Sequence, residues 1–315
     1  YLVQRAKLKS MRFIIIILSV FTMHHVRAED SDTTFVKHTI SLSEQSHSIV
    51  MVPVTGGTLE MTDQATNSRI EVQIDSFWMS SVEITWDLYN EFRDDVVKDV
   101  IETTSLANLP YDAISIPSPA YVDMTWGMGS NGFPAISMTH YAAHMFTRWL
   151  TAKTGRFFRL PTEAEWEYAC KGGENNDSSL IELTDNFAWH RDNSQGKYQQ
   201  VGTKAPNSLG LYDMLGNVGE WTADQYVEHY VDSLLDSRQT QNPWIKPTEL
   251  YPRTVKGGSW MDPSSMANCS SRRGSNPNWK MHDPQLPKSL WWHTNALFLG
   301  FRIVEPKNQP ATIDE

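Results

Sequence analysis

The chain has 315 residues with 27 basic and 37 acidic side chains, a formal net charge of −10, and 40% of its residues are hydrophobic. Such an acidic surface repels phosphate backbones, which argues against nucleic-acid binding. The length allows one large domain or two small ones, and the composition indicates no disorder outside the two ends.

The N-terminal segment has the pattern of a secretory signal peptide. Within residues 11–28, Arg12 provides a basic start, residues 13–23 form an apolar run, and a small-x-small exit precedes Glu29. A buried strand or a membrane anchor is the alternative, but the run is shorter than the roughly 20 residues that a spanning helix needs. We therefore predict a secreted or periplasmic protein with no membrane span after cleavage.

The next part of the chain predicts strands and then a helix. Apolar residues dominate 49–54, and strict alternation over 70–74 is typical of a half-buried strand. A helix is predicted over 86–92, and residues 96–130, which contain several prolines, are predicted to be inserted loops. Sheet therefore comes before helix in this half of the chain.

Two further helices carry start signals. Thr139 can cap a helix that runs to about Lys153, because its hydroxyl can accept a backbone N–H of the first turn. Thr162 is followed three residues later by Glu165, which is the pattern of a capping box. This second helix is predicted to end at the glycine pair that begins with Gly172.

Regular structure thins out after residue 173. Two Trp-bearing turns occur at 216–221 and 257–260, and a strand is predicted at 299–304. No repeat of fixed period and no linker divides this body. The predicted organisation is upstream residues plus a signal peptide (1–28), a polar lead-in (29–47), one domain (48–305) and a polar tail (306–315).

Six segments occur in an order that resembles the formylglycine-generating-enzyme, or sulfatase-modifying factor, family. The resemblance spans roughly 50–305 and implies an α+β fold that is loop-rich and C-type-lectin-like. Because members of this superfamily carry out several different activities, the fold alone does not settle the function. The segments are VPVTGGTLEM (52–61), IDSFWMSSVEITWDLYNEF (74–92), RLPTEAEWEYACKGG (159–173), PNSLGLYDMLGNVGEW (206–221), VKGGSW (255–260) and LGFRIV (299–304).

The resemblance also implies where the oxidase chemistry of the family would lie. In the oxidases, two cysteines five residues apart hold copper as thiolates, since soft sulfur suits a soft monovalent ion. In this chain Asp262 and Ala267 stand at those two positions. Ser259 matches an active-site serine of the family, and no nucleophile elbow surrounds it. We therefore expect no copper oxidation, a structural role for Ser259, and no confident catalytic residue beyond the candidates Ser259 and Asp262.

The chain contains two cysteines, Cys170 and Cys269. In some family members the matching positions form a structural disulfide remote from the copper site. The resemblance therefore implies a bridge here, and an even cysteine count in an exported protein agrees with it. Two buried free thiols, or a metal-binding or catalytic role, are the alternatives.

The turn at 213–220 matches a structural calcium site of the family. The resemblance implies ligation by the side chains of Asp213 and Glu220 and by the carbonyl groups of Gly216 and Val218. Calcium takes six to eight oxygen ligands, including backbone ones, so this set is chemically suitable. The alternative is that the two carboxylates accept hydrogen bonds from amides of the turn.

The segment after the copper positions is rich in aromatic and charged residues. It could line a groove for a glycan or a peptide, or it could be a loop held down by its own aromatic side chains. The candidate groove residues are Trp260, Arg272, Arg273, Trp279, Trp291 and Trp292.

These observations predict an exported binding or accessory domain without copper oxidase activity, whose partner is an unidentified protein, peptide or glycan. Two alternatives remain open. The first is a sulfatase-maturing oxidoreductase, or a related enzyme, with a changed metal site that uses Asp262. The second is a structural component of a cell-envelope assembly. Whether the chain is an enzyme is therefore left open.

Overall fold

The computed structural model describes residues 35–42, 47–63, 65–102, 123–173, 184–283, 288 and 294–310, with backbone only over 96–102. The predicted signal peptide lies outside the described residues, and so do Trp291, Trp292 and the last five residues of the tail. None of the helices in the described ranges combines the length and the apolar character that crossing a bilayer requires.

Twelve short strands and five helices form the described regular structure. The helices are α1 (Trp86–Glu102), α2 (His140–Thr154), α3 (Glu163–Cys170), α4 (Thr184–Phe187) and α5 (Tyr230–Ser237). The strands are β1 (His38–Ser41), β2 (Ser48–Val54), β3 (Gly57–Thr62), β4 (Arg69–Ile74), β5 (Phe77–Ser80), β6 (Ala188–Trp189), β7 (Leu215–Gly216), β8 (Gly219–Gln225), β9 (Arg253–Lys256), β10 (Arg272–Gly274), β11 (Leu299–Gly300) and β12 (Val304–Pro306).

The strands build two four-stranded sheets and two small ladders. One sheet has the order β1-β2-β5-β12, and all its pairs are antiparallel. The other has the order β10-β9-β8-β11, in which the β8 and β11 pair is parallel. An antiparallel β3-β4 ladder and a parallel β6-β7 ladder complete the described sheet structure. Long loops connect these pieces, which confirms the predicted α+β, loop-rich class.

The start signals of α2 and α3 are confirmed. Thr139 accepts a hydrogen bond from the Ala142 N–H at 3.0 Å, and α2 ends where Gly155 adopts a left-handed conformation. Thr162 and Glu165 form the reciprocal capping box at the start of α3. These contacts lie within one helical turn, so the local sequence was sufficient to predict them.

Three expectations about boundaries were wrong. The helix α1 continues to Glu102, whereas the sequence predicted loops from residue 96. The segment treated as a loose lead-in contains β1, which pairs in register with β2 and buries Ile40. The stretch predicted as one strand over 299–304 contains two strands, β11 and β12, which belong to different sheets. The pairing partners of these strands are distant in the chain, and local patterns do not show them.

The core consists of two clusters of buried side chains. One packs aromatic residues of α1 and α2, such as Phe92 and Phe146, against Phe301. The other surrounds Trp166 of α3 and extends over the β3-β4 ladder. Buried indoles need partners for their N–H groups, and here Trp86, Trp166 and Trp221 donate to Tyr198, Glu220 and Met138, respectively. The aromatic residues therefore anchor loops as well as fill the core.

Candidate functional site

At the position that the resemblance matches to the first copper cysteine, the acidic side chain of Asp262 has two partners. Asp262 Oδ2 accepts a hydrogen bond from Ser259 Oγ at 2.6 Å, and Asp262 Oδ1 forms an ion pair with Arg273. The guanidinium of Arg273 also lies 4.8 Å from the ring centre of Phe298. The sequence candidates Ser259 and Asp262 are thus together, and a cation of the protein already balances the carboxylate.

The position that the resemblance matches to the second copper cysteine carries no ligand-type side-chain atom. Ala267 is 4% exposed and follows a short 3₁₀ turn at Ser264–Met266. The space beside Asp262 and Met266 is a crevice of only about 10 Å³. Typical small-molecule sites are clefts of roughly 300–1,000 Å³, so this crevice is too small for such a ligand.

The predicted disulfide is confirmed. Cys170, the last residue of α3, is bonded to Cys269, which is 99 residues further along the chain. Both sulfur atoms are buried and no free cysteine remains. A bridge that closes a loop of this size is expected to contribute about 4–5 kcal/mol in the chain-entropy model.

At the predicted calcium site, Glu220 is held by an arginine. Arg302 is fully buried, and its Nε and Nη2 donate to the two oxygens of Glu220 at 2.6 and 2.7 Å. Trp166 Nε1 donates to the same carboxylate at 2.7 Å. Further guanidinium N–H groups, on Nη1 and Nη2, donate to the carbonyl oxygens of Ser80 and Tyr212. These acceptors match the shape of a guanidinium, and a calcium ion at Glu220 would have to displace the Arg302 side chain.

The other predicted calcium ligand belongs to a carboxyl pair. Asp213 Oδ2 accepts the Gly202 N–H at 2.6 Å, and Glu83 Oε1 accepts Asn217 Nδ2 at 3.0 Å. The remaining oxygens, Asp213 Oδ1 and Glu83 Oε2, are buried and receive no N–H. The two carboxyl groups can bond to each other when one carries a proton. Calcium binding through the turn at 213–220, including Gly216 and Val218, stays a prediction.

The surroundings of this pair favour protonation. Burial raises the pKa of Glu83 well above its ordinary value, and the nearby Asp213 and Glu220 carboxylates raise it further. Burial also raises the pKa of Asp213 to about 6, although the Gly202 N–H and the Arg302 charge act in the opposite direction. Three carboxyl groups around one arginine can thus be accommodated by taking up a proton.

The predicted groove residues have different surroundings. Trp260 is buried, with its Nε1 directed at the Leu297 carbonyl at 3.3 Å. Arg272 forms an ion pair with Glu163 and lies against the rings of Tyr226 and Tyr230. These two side chains are engaged inside the fold. Trp279 packs edge-on against Phe298, and it also lines the cavity described next.

A large cavity, which the sequence analysis did not predict, lies along one face of α2. Its volume is about 1080 Å³, and its wall combines aromatic, basic and small polar side chains from α2, β8, β9 and the loops around 244–251 and 275–280. The lining includes Trp221, Trp244, Tyr251, Trp279, His140, His144, Arg148, Arg253, Lys280 and Lys288. Of the predicted groove residues that the structure describes, Trp279 is the one that faces this cavity.

The start of α5 brings His229 and Asp232 close to Asp63, and the ligand-type atoms of the three residues lie within 4.8 Å of one another. This group was not predicted, because Asp63 is far from the other two residues in the chain. Asp63 already accepts the N–H groups of Ala65 and Thr66, as in an ordinary Asx turn. These contacts account for the position of Asp63 without an ion.

Comparison with known proteins places this geometry in a family. Residues 37–284 match the sulfatase-modifying factor enzyme 1-like domain. The formylglycine-generating enzyme of Mus musculus is 35% identical over 139 residues, which cover 38% of this chain and 36% of that enzyme. The inactive C-alpha-formylglycine-generating enzyme 2 of Bos taurus is 29% identical over 167 residues, 46% of each chain.

A third relative, the serine/threonine-protein kinase pkn1 of Chlamydia pneumoniae, is 30% identical over 149 residues, which cover 46% of this chain and 22% of the kinase. The matched regions thus span less than half of each of these relatives. Two solved structures share the fold. Treponema denticola variable protein 1 superposes with a TM-score of 0.58 at 23% identity, covering 86% of this chain and 99% of that one.

PvdO from Pseudomonas aeruginosa superposes with the same TM-score at 20% identity, covering 85% of this chain and 98% of that one. The family match extends over most of the chain, from before β1 to beyond β10. It includes the Asp262 and Arg273 pair and the disulfide. The chain therefore belongs to the sulfatase-modifying factor, or formylglycine-generating-enzyme, family.

Proposed function

We propose that this chain is an exported binding or accessory domain of its family that does not carry out copper-dependent oxidation. The observation that carries the proposal is the arrangement at Asp262, where Ser259 and Arg273 satisfy the carboxylate and Ala267 offers no ligand. A hard carboxylate that is already paired with an arginine is a poor ligand for Cu(I). The site therefore offers no thiolate to a copper ion.

The cysteine chemistry supports the same conclusion. Cys170 and Cys269 are bonded to each other, so neither offers a thiolate. A disulfide is also compatible with an oxidising compartment such as the periplasm or the outside of the cell. The similarity to a bovine relative whose name calls it inactive adds support. The partner class expected from the sequence, a protein, peptide or glycan, stays a prediction.

The test combines a thiol assay with an activity assay. The purified protein is alkylated under denaturing, non-reducing conditions and weighed intact, then titrated with Cu(I) and incubated with a Cys-x-Pro-x-Arg peptide. We expect no added label, no stoichiometric copper binding and no peptide oxidation. The mouse formylglycine-generating enzyme, assayed in parallel, shows that the copper and peptide assays work.

Turnover of the peptide would contradict the proposal and favour an enzyme with a changed metal site. In that case, an Asp262→Asn variant decides whether the carboxylate takes part, because the amide keeps the size of the side chain and removes its charge. Co-purification with large complexes, without ligand affinity or turnover, would instead favour a structural component of the envelope.

A further inference from the structure

We propose that the cavity beside α2 binds a small organic anion that carries a flat apolar ring, with Arg253 as the residue that pairs with the anionic group. This inference rests on the proposed function, since a binding domain requires a ligand site. The volume of about 1080 Å³ lies just above the range of roughly 300–1,000 Å³ for small-molecule sites. The cavity is therefore large enough to enclose such a molecule.

The apolar part of the ligand would contact an aromatic wall. Trp221, Trp244 and Trp279 line the cavity together with Tyr251. The Nε1 atoms of Trp221 and Trp244 already donate to the carbonyl oxygens of Met138 and Ala223. The polar edges of these two indoles are therefore satisfied. Flat apolar groups pack favourably against aromatic rings, which contribute large contact areas.

The anionic part of the ligand is inferred from Arg253. This residue begins β9, and its Nε atom is buried without a hydrogen-bond partner. Within the described part of the chain, no carboxylate lies at ion-pair distance from its guanidinium. A buried N–H group that has lost water and gained no acceptor is costly. Burial accordingly lowers the pKa of Arg253.

The helix α2 brings no compensating charge to Arg253. His140 and His144 face it, and burial together with the positive charge of Arg253 lowers the pKa of both imidazoles. His140 lies within hydrogen-bond distance of the Thr222 carbonyl, with Nε2 at 2.9 Å, so this nitrogen carries the proton and is the donor. Both imidazoles are therefore neutral at pH 7 and leave the guanidinium unbalanced.

The rest of the described lining is also basic. Arg148, Lys280 and Lys288 contribute further cations. The carboxylate among the lining residues is Glu165, and Arg159 holds both its oxygens at 2.6 and 2.7 Å. Asp283 is not among the lining residues, and its Oδ2 atom lies 3.5 Å from Lys280 Nζ. In a chain with a net charge of −10, a basic cavity is best explained by a complementary anion.

A guanidinium has the geometry to hold such an anion. Its planar fork binds carboxylate, sulfate or phosphate oxygens through parallel N–H groups, and these charge-assisted bonds are about twice as strong as neutral ones. An anion at the guanidinium of Arg253 would balance a charge that has no carboxylate at ion-pair distance in the described part of the chain. The same anion would also reduce the repulsion between Arg253 and the other lining cations.

The inference can be tested with two probes that share one ring system. Binding of 2-naphthoate and of the neutral 2-naphthalenemethanol to the full chain is measured by isothermal titration calorimetry. We expect 2-naphthoate to bind at least tenfold more tightly, because one charge-assisted hydrogen bond contributes that much. If the protein contacts only the ring and does not recognise the charge, the two probes will bind with equal affinity, and this result would overturn the inference.

Three variants locate the interaction. Arg253→Gln is expected to weaken naphthoate binding about tenfold or more and to leave the neutral probe unchanged. Trp244→Ala should weaken both probes. Arg191→Gln, at a side chain that is 61% exposed and does not line the cavity, is the control and should change neither. Unfolding curves show whether each variant is folded before it is titrated.

An unchanged naphthoate affinity in a folded Arg253→Gln variant would overturn the inference, and so would the absence of binding of either probe at millimolar concentration. These outcomes are independent of the copper assay. Peptide oxidation together with Arg253-dependent naphthoate binding would contradict the non-oxidase proposal alone. Equal binding of both probes without peptide oxidation would support the proposed binding domain and contradict the proposed recognition of an anion by Arg253.

Discussion

Arg302 and Arg253 are two arginines of the same part of the fold, and their surroundings differ. Arg302 contacts Glu220 at the start of β8, and both of its partner oxygens lie at 2.7 Å or less. Arg253 starts the neighbouring strand β9 and has a buried Nε with no acceptor. The first arginine completes a closed polar cluster that holds loops together. The second faces a cavity and leaves an interaction open for a ligand.

The comparison separates charges that the fold explains from charges that it does not explain. Buried charges that are paired and hydrogen-bonded are weak evidence for function, since folding alone explains them. The pair of Arg302 and Glu220 is of this kind. An unpaired cation in a large cavity requires a further explanation, and a bound anion supplies one.

The largest expected effect on stability concerns the buried pair of Arg302 and Glu220. We expect Arg302→Met to lower the free energy of unfolding by about 3–5 kcal/mol, because it leaves the buried Glu220 carboxylate without its cation. Urea denaturation measures the change. The control is Arg69→Gln, at an ion pair with Glu60 in which both side chains are more than half exposed, and it should cost less than about 1 kcal/mol. Equal effects of the two variants would show that Arg302 is not the structural cation.

A smaller effect concerns the carboxyl pair. Burial raises the pKa of Glu83 and of Asp213, so the folded protein binds more protons than the unfolded one. Stability contributed by the pair is present at low pH. It is lost as the pH rises from the ordinary carboxyl pKa, near 4, to about 6 and above.

Glu83→Gln removes the contribution of Glu83 to this dependence, because an amide donates its N–H at every pH. We expect the variant to be more stable than the unmodified protein at pH 7.5 by on the order of 1–3 kcal/mol, and about equally stable at pH 4. Denaturation curves at the two pH values check this. A variant that is less stable at both would show that Glu83 is ionised in the folded protein.

The stability of the protein should depend much less on Arg253, which lines the cavity, than on Arg302. Arg253→Gln removes a guanidinium that has no acceptor for its Nε, so we expect the free energy of unfolding to change by no more than about 1 kcal/mol. The same variant should lose anion binding. Destabilisation as large as that of Arg302→Met would mean that Arg253 has a structural role and would erase the contrast between the two regions.

The smallest expected effect concerns metal removal. Because Arg302 already holds Glu220, we expect calcium at the predicted turn to bind weakly, so that EDTA and added calcium leave the thermal unfolding midpoint nearly unchanged. Differential scanning calorimetry with and without 1 mM ion is the measurement. A calcium-dependent rise of several degrees would support the calcium site at Asp213 and Glu220 and would require Arg302 to move away from the carboxylate.

Some features were predictable because their partners are close in the sequence. The cap at Thr139 and the capping box at Thr162 involve atoms within one turn, so residue type and spacing determine them. The disulfide followed from the family resemblance, and so did the α+β class. The resemblance also matched Asp262 and Ala267 to the two copper cysteines of the oxidases, and this match stays a prediction.

Other features depended on pairs that only the folded chain brings together. Glu220 and Arg302 are 82 positions apart, and Glu83 meets Asn217 across 134 positions. The cavity joins residues of α2 to residues of β9 more than 100 positions later. No local pattern shows which distant charge reaches which carboxylate, so Arg302, Glu83 and Arg253 gave no sign of their roles in the sequence.

Residue types at short or matched spacing were therefore sufficient to predict the family, the local helix starts and the cysteine pair. The folded chain instead placed Arg302 beside the predicted calcium ligands, Arg273 beside Asp262, and Arg253 at a cavity. The physical reason is that pairing and burial of charge are set by long-range packing, and packing fixes which buried groups find partners and which do not.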